Sequence, residues 1–384
     1  PPSRGERLRR RHFRPYPLLS PALIALGALG FAAVGGWGPG SARAGGSPPP
    51  LALLQSSDRA ERASASRFSS VERRDVERAV ERGVRFLARS QKPNGSFSKQ
   101  FPVAITALTG MALLGSGVDY GRGPFHAELH RAVQYLIERA DPTGYIRDDN
   151  QSRMHGHAYA VLFLAQVVGK TERQPVAQDL RRAVQKGLQL IEREQSVDGG
   201  WIYEPGRKGD EASITVCCLQ ALRAAKDAGL AVDPTVIERA VRYLERCSNE
   251  DGSFRYKLAD PPGTSTYEIS VAAVSTLDAA GEYTSELHKR AVGFLRDRVL
   301  RYRSNPLKAA TKFPFYGNLY AAQVFFQLGG DDWQQWAGAA YPEVLAQQSP
   351  DGSWTESKYG TEYGTAMMVL ILEIPLGYLP IFER

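Results

Sequence analysis

The chain is poor in the residues that staple small domains or hold metals. Three cysteines in 384 residues exclude a disulfide framework. Cys217 and Cys218 are adjacent in an apolar run and Cys247 stands alone, so no C-x₂-C pair offers zinc ligands. All three read as small buried hydrophobes. No metal and no cofactor is expected. An excess of one charge is also missing once the first 44 residues are set aside. That stretch holds seven arginines against Glu6 alone, so +6 of the formal +7 sits there and the rest of the chain carries +1. A body so close to neutral has no field to attract a phosphate backbone, and nucleic acid is excluded as a partner.

What is present begins with a leader. Residues 1–16 are basic, residues 17–37 (PLLSPALIALGALGFAAVGGW) are apolar and small, and Ala42-Arg43-Ala44 offers a processing site. Arg10-Arg11-His12-Phe13 fits a twin-arginine pattern. Residues 1–44 therefore predict export to the periplasm or cell envelope. The alternative is a leader that stays uncleaved as an N-terminal anchor, the one membrane contact this sequence suggests. Residues 45–70, rich in Pro, Ser, Ala and charge, read as a flexible linker.

From Val71 onward the sequence repeats at about 50 residues. Each unit opens with an amphipathic helix, such as ERAVERGVRFLARSQ (77–91), RRAVQKGLQLIEREQ (181–195) and ERAVRYLERCS (238–248). Apolar residues fall at i, i+3, i+4 and i+7, which buries one stripe. A sixth, weaker copy is predicted at 336–348. Glycine turns follow five of the six helices: Asn94-Gly95-Ser96-Phe97, Thr143-Gly144-Tyr145, Asp198-Gly199-Gly200-Trp201, Asp251-Gly252-Ser253-Phe254 and Asp351-Gly352-Ser353-Trp354. The second helix of each unit is apolar nearly all round, as in AITALTGMALLG (104–115) and GTAMMVLILEI (364–374), with the fifth predicted at 318–330. Such helices must be covered on every side. Alternation of the two kinds predicts an all-α fold, an (α/α)6 toroid over residues 71–384. An open solenoid needs polar end caps, whereas LEIPLGYLPIF (372–382) is apolar, so the ring is expected to close.

Gln91-x₃-Gly95-x-Phe97, Gln195-x₃-Gly199-x-Trp201 and Gln348-x₃-Gly352-x-Trp354 resemble the QW motif of the prenyltransferase and squalene-cyclase repeat family. Repeats 2 and 4 lack the glutamine. The resemblance implies a toroid braced by Gln91, Gln195, Gln348, Gly95, Gly199, Gly352, Trp201 and Trp354, with each Gln capping a neighbouring helix. It also implies a central cavity entered where the inner helices begin. The catalytic motifs of the family, D-x-D-D and the zinc ligands, are absent. His155, Gly156 and Tyr159 match the A-H-G-G-Y stretch with which prenyltransferases present a His to a diphosphate.

The expected rim collects candidate residues. Glu211, Glu268 and Glu362 sit in or just before the first turns of inner helices. They read as an acid cluster with one neutral proton donor, or simply as acids favoured by the helix dipole. Tyr159, Tyr267, Tyr316 and Tyr363 read as a ligand wall or as core. His155 and His157, two apart, face different sides of a helix and are expected at the ligand rather than on a metal. Parallel helix N-termini and a protonated His155 would favour an anionic head. Together these features predict an exported toroid that binds, and acts on, an isoprenoid or other lipid-like ligand. The alternatives are an inactive scaffold with a protein partner and an α/α-barrel protein active on polysaccharides. A narrow apolar cavity favours the first, a filled centre the second, and a wide polar groove the third.

Export predicts a mature protein that begins near Gly45. N-terminal sequencing of exported material checks this, and cytoplasmic protein retaining residues 1–44 overturns it.

Overall fold

The computed structural model describes residues 71–148, 153–171 and 175–377. The leader, the linker and residues 378–384 of the apolar C-terminal run lie outside the described residues. Within them the chain forms twelve α-helices and no strand. The outer helices are α1 (Arg73–Ser90), α3 (His126–Glu138), α5 (Ala177–Arg193), α7 (Pro234–Cys247), α9 (Glu286–Arg301) and α11 (Gly330–Ala346). The inner ones are α2 (Pro102–Gly115), α4 (Arg153–Val168), α6 (Ala212–Asp227), α8 (Tyr267–Ala280), α10 (Pro314–Leu328) and α12 (Thr361–Glu373). No described helix is long and apolar enough to cross a membrane.

Periodicity explains the two rings. In α1 the buried residues are Val76, Ala79, Val80, Gly83, Val84 and Leu87, one stripe at helical spacing. In α2 every residue from Val103 to Gly115 is buried. Each inner helix packs on the next, and α12 packs back on α1 and α2, so the (α/α)6 toroid is closed. Its axis is filled with side chains, among them Tyr159, Tyr316, Tyr320 and Tyr363, all fully buried.

The glycine turns dock each unit on the next. Gly95 and Gly352 have φ of +88° and +94°, a conformation that glycine adopts without strain. A Cβ on Gly95 would lie 2.3 Å from the Arg131 carbonyl oxygen of α3, and one on Gly352 would lie 2.4 Å from that of Arg82 in α1. Gly144, Gly199 and Gly252 press on α5, α7 and α9 in the same way. Three glutamines reinforce the contact. The Gln91 amide donates to Gly95 O and Glu128 O, that of Gln195 to Gly199 O and Val236 O, and that of Gln348 to Gly352 O and Ala79 O, all within 2.8–3.0 Å. Gln348 thus ties the last unit to the first. Ala140 and Ser248 occupy the glutamine position in units 2 and 4, and in unit 2 the Lys186 ammonium of α5 donates to Pro142 O of the turn at 3.4 Å.

A second register joins each turn to its inner helix. The backbone N–H groups of Phe97, Trp201, Phe254 and Trp354 donate to the hydroxyls of Thr106, Thr215, Ser270 and Thr365 at 3.0–3.3 Å. These four aromatics, each two residues after its glycine, are the wedges of their turns; in unit 2 that position is Ile146, and its N–H donates to His157 Nδ1 at 3.1 Å. Unit 5 has no glycine turn. A 3₁₀ turn at Pro306–Ala309 replaces it, and the Asn318 amide donates to Leu307 O at 2.9 Å. The inner helix here begins at Pro314 rather than 318, because proline at N1 is already set for a helix. The outer helix α11 begins at Gly330 rather than 336. Gly329 and Gly330, both at positive φ, turn the chain without a loop.

Trp354 is buried, donates its indole N–H to Val344 O at 2.8 Å, and sits against Gly83 of the first helix. Trp354→Ala is expected to destabilise by about 3–5 kcal/mol, as large aromatic deletions in packed sites do. Gln348→Ala should lose about 1–2 kcal/mol with its two backbone bonds. Thermal melts check both, and an unchanged Trp354→Ala melting temperature removes the bracing role.

Candidate functional site

The start of α6 gathers ionisable and polar side chains. Its N-cap is Glu211, wholly buried, whose carboxylate accepts from Ser213 N at 3.0 Å and Ile214 N at 2.9 Å. The Ser213 hydroxyl lies 2.8–2.9 Å from both carboxylate oxygens and 3.2 Å from His155 Nε2 of α4. Ser213 therefore bridges an acid and an imidazole. Two tyrosines close the cluster toward the rim. Tyr256 stands beside Glu211, its carbonyl accepting from Ala212 N at 2.8 Å, and the Tyr203 and Tyr256 hydroxyls meet each other. Both tyrosines are only partly buried. One turn deeper, Cys217 donates to the Tyr159 hydroxyl at 3.5 Å, and the Tyr316 and Tyr320 rings meet edge-on at 4.8 Å.

Burial decides the charge state here. Desolvation pushes the Glu211 carboxyl up to about 7, against the opposing pull of Ser213 and the Ile214 and Ser213 backbone donors. Those donors favour the ionised form and still lose to burial. The same cause pushes the His155 imidazole down to about 3 and that of His157 to about 4. His155 is therefore neutral at neutral pH, and the positive charge expected of it for an anionic head is not there. Tyr159, Tyr316, Tyr363 and the Cys217 thiol are all pushed upward by burial and stay protonated.

The other expected residues fall in separate places. His157 accepts from Ile146 N–H at Nδ1, and its Nε2 lies 3.1 Å from Gly187 O. Both ring nitrogens are thus engaged by the backbone between units. The Glu268 carboxylate accepts from Lys312 N at 2.7 Å and Phe313 N at 3.3 Å, ordering the approach to α10. Glu362 lines a shallow groove on the outer flank with Phe86, Ser90 and Asp351. The three carboxylates share no partner. Among the described residues no group of three metal-binding side chains occurs. Tyr267 is buried with its hydroxyl unpaired, and Tyr363 packs edge-on to Tyr359 at 5.2 Å. A groove of about 750 Å³ between α1 and the α2–α3 connection contains none of the expected residues.

Ser213, Tyr203 and Tyr256 escaped the sequence reading. A signal existed for the tyrosines, since each stands two residues after a wedge aromatic, as Trp201-x-Tyr203 and Phe254-x-Tyr256. That position reaches the start of the preceding inner helix. Tyr203 O accepts from Met154 N of α4 at 3.1 Å, and Tyr256 O from Ala212 N of α6 at 2.8 Å. In unit 2 Asp148 stands there and accepts from Val103 N of α2 at 3.2 Å.

No protein-family model and no curated relative matches the sequence. Solved structures do. The type II terpene cyclase MstE from Scytonema is similar at 17% identity, with 80% of this chain and 100% of that one covered and a TM-score of 0.55. The same cyclase has been solved with its substrate, geranylgeranyl dihydroxybenzoate (16% identity, 80% and 99% covered, TM-score 0.53). An α-1,6-mannanase of Salegentibacter aligns at 11% identity, with 80% and 100% covered and a TM-score of 0.57. At such identities the likeness shows the α/α toroid and nothing about the reaction.

Glu211 makes stability depend on pH. Its folded value of about 7 lies above the ordinary carboxyl value of 4.5, so the folded state binds the proton more tightly. The stabilisation is complete below about pH 4.5 and is lost as pH rises through about 7, an effect of about 3 kcal/mol. Between pH 5 and 8 the wild type should lose about 2.5 kcal/mol more stability than Glu211→Gln, since part of the effect is already gone at pH 5. The histidine contributions are common to both proteins and cancel. Equal losses of stability in the two proteins, from denaturant titrations at both pH values, overturn the assignment.

Proposed function

We propose that this toroid takes an isoprenoid or comparable lipid-like ligand at the end where its inner helices begin, and that Glu211 is the acid that acts on it. The observation that carries this reading is the Glu211 carboxyl itself, enclosed, held near neutrality and flanked by aromatic rings. A carboxylic acid still protonated near pH 7 can donate to an electron-rich double bond, which ordinary exposed carboxylates cannot do. The faces of Tyr159, Tyr316 and Tyr320 would then stabilise the cation that protonation creates. The cyclase of the same fold acts on a substrate with a geranylgeranyl chain, which adds to this reading. Ser213 and His155 would hold the carboxyl in place, His155 as a neutral hydrogen-bond partner.

A filled axis favours a second reading. Tyr159, Tyr316, Tyr320 and Tyr363 are buried to the point of excluding water around them. A ligand enters only if side chains at the rim swing aside, with Tyr203 and Tyr256 the partly buried pair above Glu211. A scaffold that presents its outer surface to a protein partner needs no such movement.

Isothermal titration with farnesol and farnesyl diphosphate separates the two. Because His155 is neutral, both ligands should bind with similar affinity, and Glu211→Gln should keep that binding. Incubation with a geranylgeranyl-bearing neutral lipid should give a cyclised product with the wild type and none with Glu211→Gln. Absence of heat with either ligand overturns the lipid reading and leaves the scaffold.

A further inference from the structure

A stripe of polar side chains runs along α6 below Glu211 and ends on an amide with an unmet donor. Ser213, Cys217 and Gln220 fall on one face of the helix, four and then three residues apart. Ser213 meets His155 of α4, Cys217 meets Tyr159 of α4, and Gln220 meets Tyr320 of α10. The inner-ring neighbours of α6 are α4 and α8, so a contact with α10 crosses the axis. Gln220 therefore points into the centre of the toroid.

The Gln220 side chain is wholly buried, and its Nε2 group has no hydrogen-bond partner. The oxygen end is held loosely, since the Tyr320 hydroxyl donates to Oε1 from 3.5 Å, at the far limit of a hydrogen bond. One turn further along α10, by comparison, Gln323 Oε1 accepts from Ser275 at 2.9 Å. A buried N–H without an acceptor is costly, and folded proteins keep few of them. One that is kept on the axis, facing the place where a ligand would lie, is matched by an acceptor from outside the chain.

We propose that Gln220 recognises an oxygen at the inner end of the ligand, so that the toroid selects an isoprenoid chain carrying a hydroxyl or carbonyl there. This rests on the lipid reading of the axis and narrows it from any apolar chain to an oxygenated one. Nine residues, about 13 Å of helix, separate Gln220 from Glu211, which is close to the reach of an extended farnesyl chain. A ligand with one end at Glu211 thus brings its other end to the amide. A charged end does not suit this stretch of the axis. Cys217 and Tyr320 are held protonated by burial, Gln323 and Ser275 carry no charge, and a buried ion needs a partner. One placed donor in an apolar interior fixes which way round a ligand lies.

Isothermal titration of the full chain compares farnesol with ω-hydroxyfarnesol, the same chain bearing a second hydroxyl at its far end. In an interior without a polar partner, the added hydroxyl loses its water for nothing and weakens binding about tenfold or more. The wild type should instead bind the diol at least as tightly as farnesol. Gln220→Met keeps the length of the side chain without the amide, and should bind the diol about tenfold more weakly than farnesol. Gln220→Leu repeats the comparison with a second apolar shape. A diol that binds more weakly than farnesol to the wild type overturns the recognition role and leaves the lipid reading standing. So does a diol preference that is the same in the wild type and both variants. Absence of binding of either ligand to the wild type overturns both.

Discussion

The toroid depends on one repeated contact, a glycine turn pressed against the backbone of the next outer helix. The approach is so close that a methyl group at Gly95 or Gly352 would overlap a carbonyl oxygen. Around it, one side-chain amide serves two carbonyls where glutamine is present, and one N–H of the turn meets a polar side chain near the start of the inner helix. Each of these bonds contributes only about 0.5–1.5 kcal/mol net. Repetition around a closed ring removes the free ends that an open array of repeats would have to cap. Gln348 and Gly352, acting on Ala79 and Arg82, are where the circle shuts.

That contact also builds the site. Because every turn ends at the beginning of an inner helix, residues just past the wedge are delivered to one end of the axis. Most of these positions serve the backbone. Asp148 caps α2, and the Tyr203 and Tyr256 carbonyls cap α4 and α6. In units 3 and 4 the same positions also place two phenol rings over Glu211. A buried carboxyl with several donors normally ionises more easily, and here burial outweighs the donors. The site is a local departure within a repetitive frame, and departures of this kind are where function is expected when the rest of a sequence is self-consistent.

The same architecture serves a terpene cyclase and a mannanase, so fold alone does not select a reaction. Function is carried by the side chains grafted on such a frame. In this chain the lining is aromatic and neutral, with thiol and hydroxyl groups and the enclosed carboxyl of Glu211.

The six helix pairs, the apolar inner ring and the closure were legible in the sequence, because hydrophobic period and glycine spacing are local in the chain. Glu211 was legible as a residue at a helix start, but its equivalence with Glu268 and Glu362 was not real. Those three differ in what surrounds them: Ser213, His155 and two tyrosines around the first, backbone N–H groups of the α10 approach at the second, and a shallow outer groove at the third. His155 and His157 are two residues apart, yet one faces the acid and the other replaces a threonine in the register between units. No periodicity encodes such differences. Desolvation and hydrogen bonding depend on groups a hundred or more residues away in sequence, as with Tyr320 and Gln220 or Gln348 and Ala79. The sequence alone therefore determined the ring and its order. Tertiary packing decided which acid is neutral, which histidine is structural, and that the axis is filled, since burial is a property of the whole assembly of helices and of no single segment.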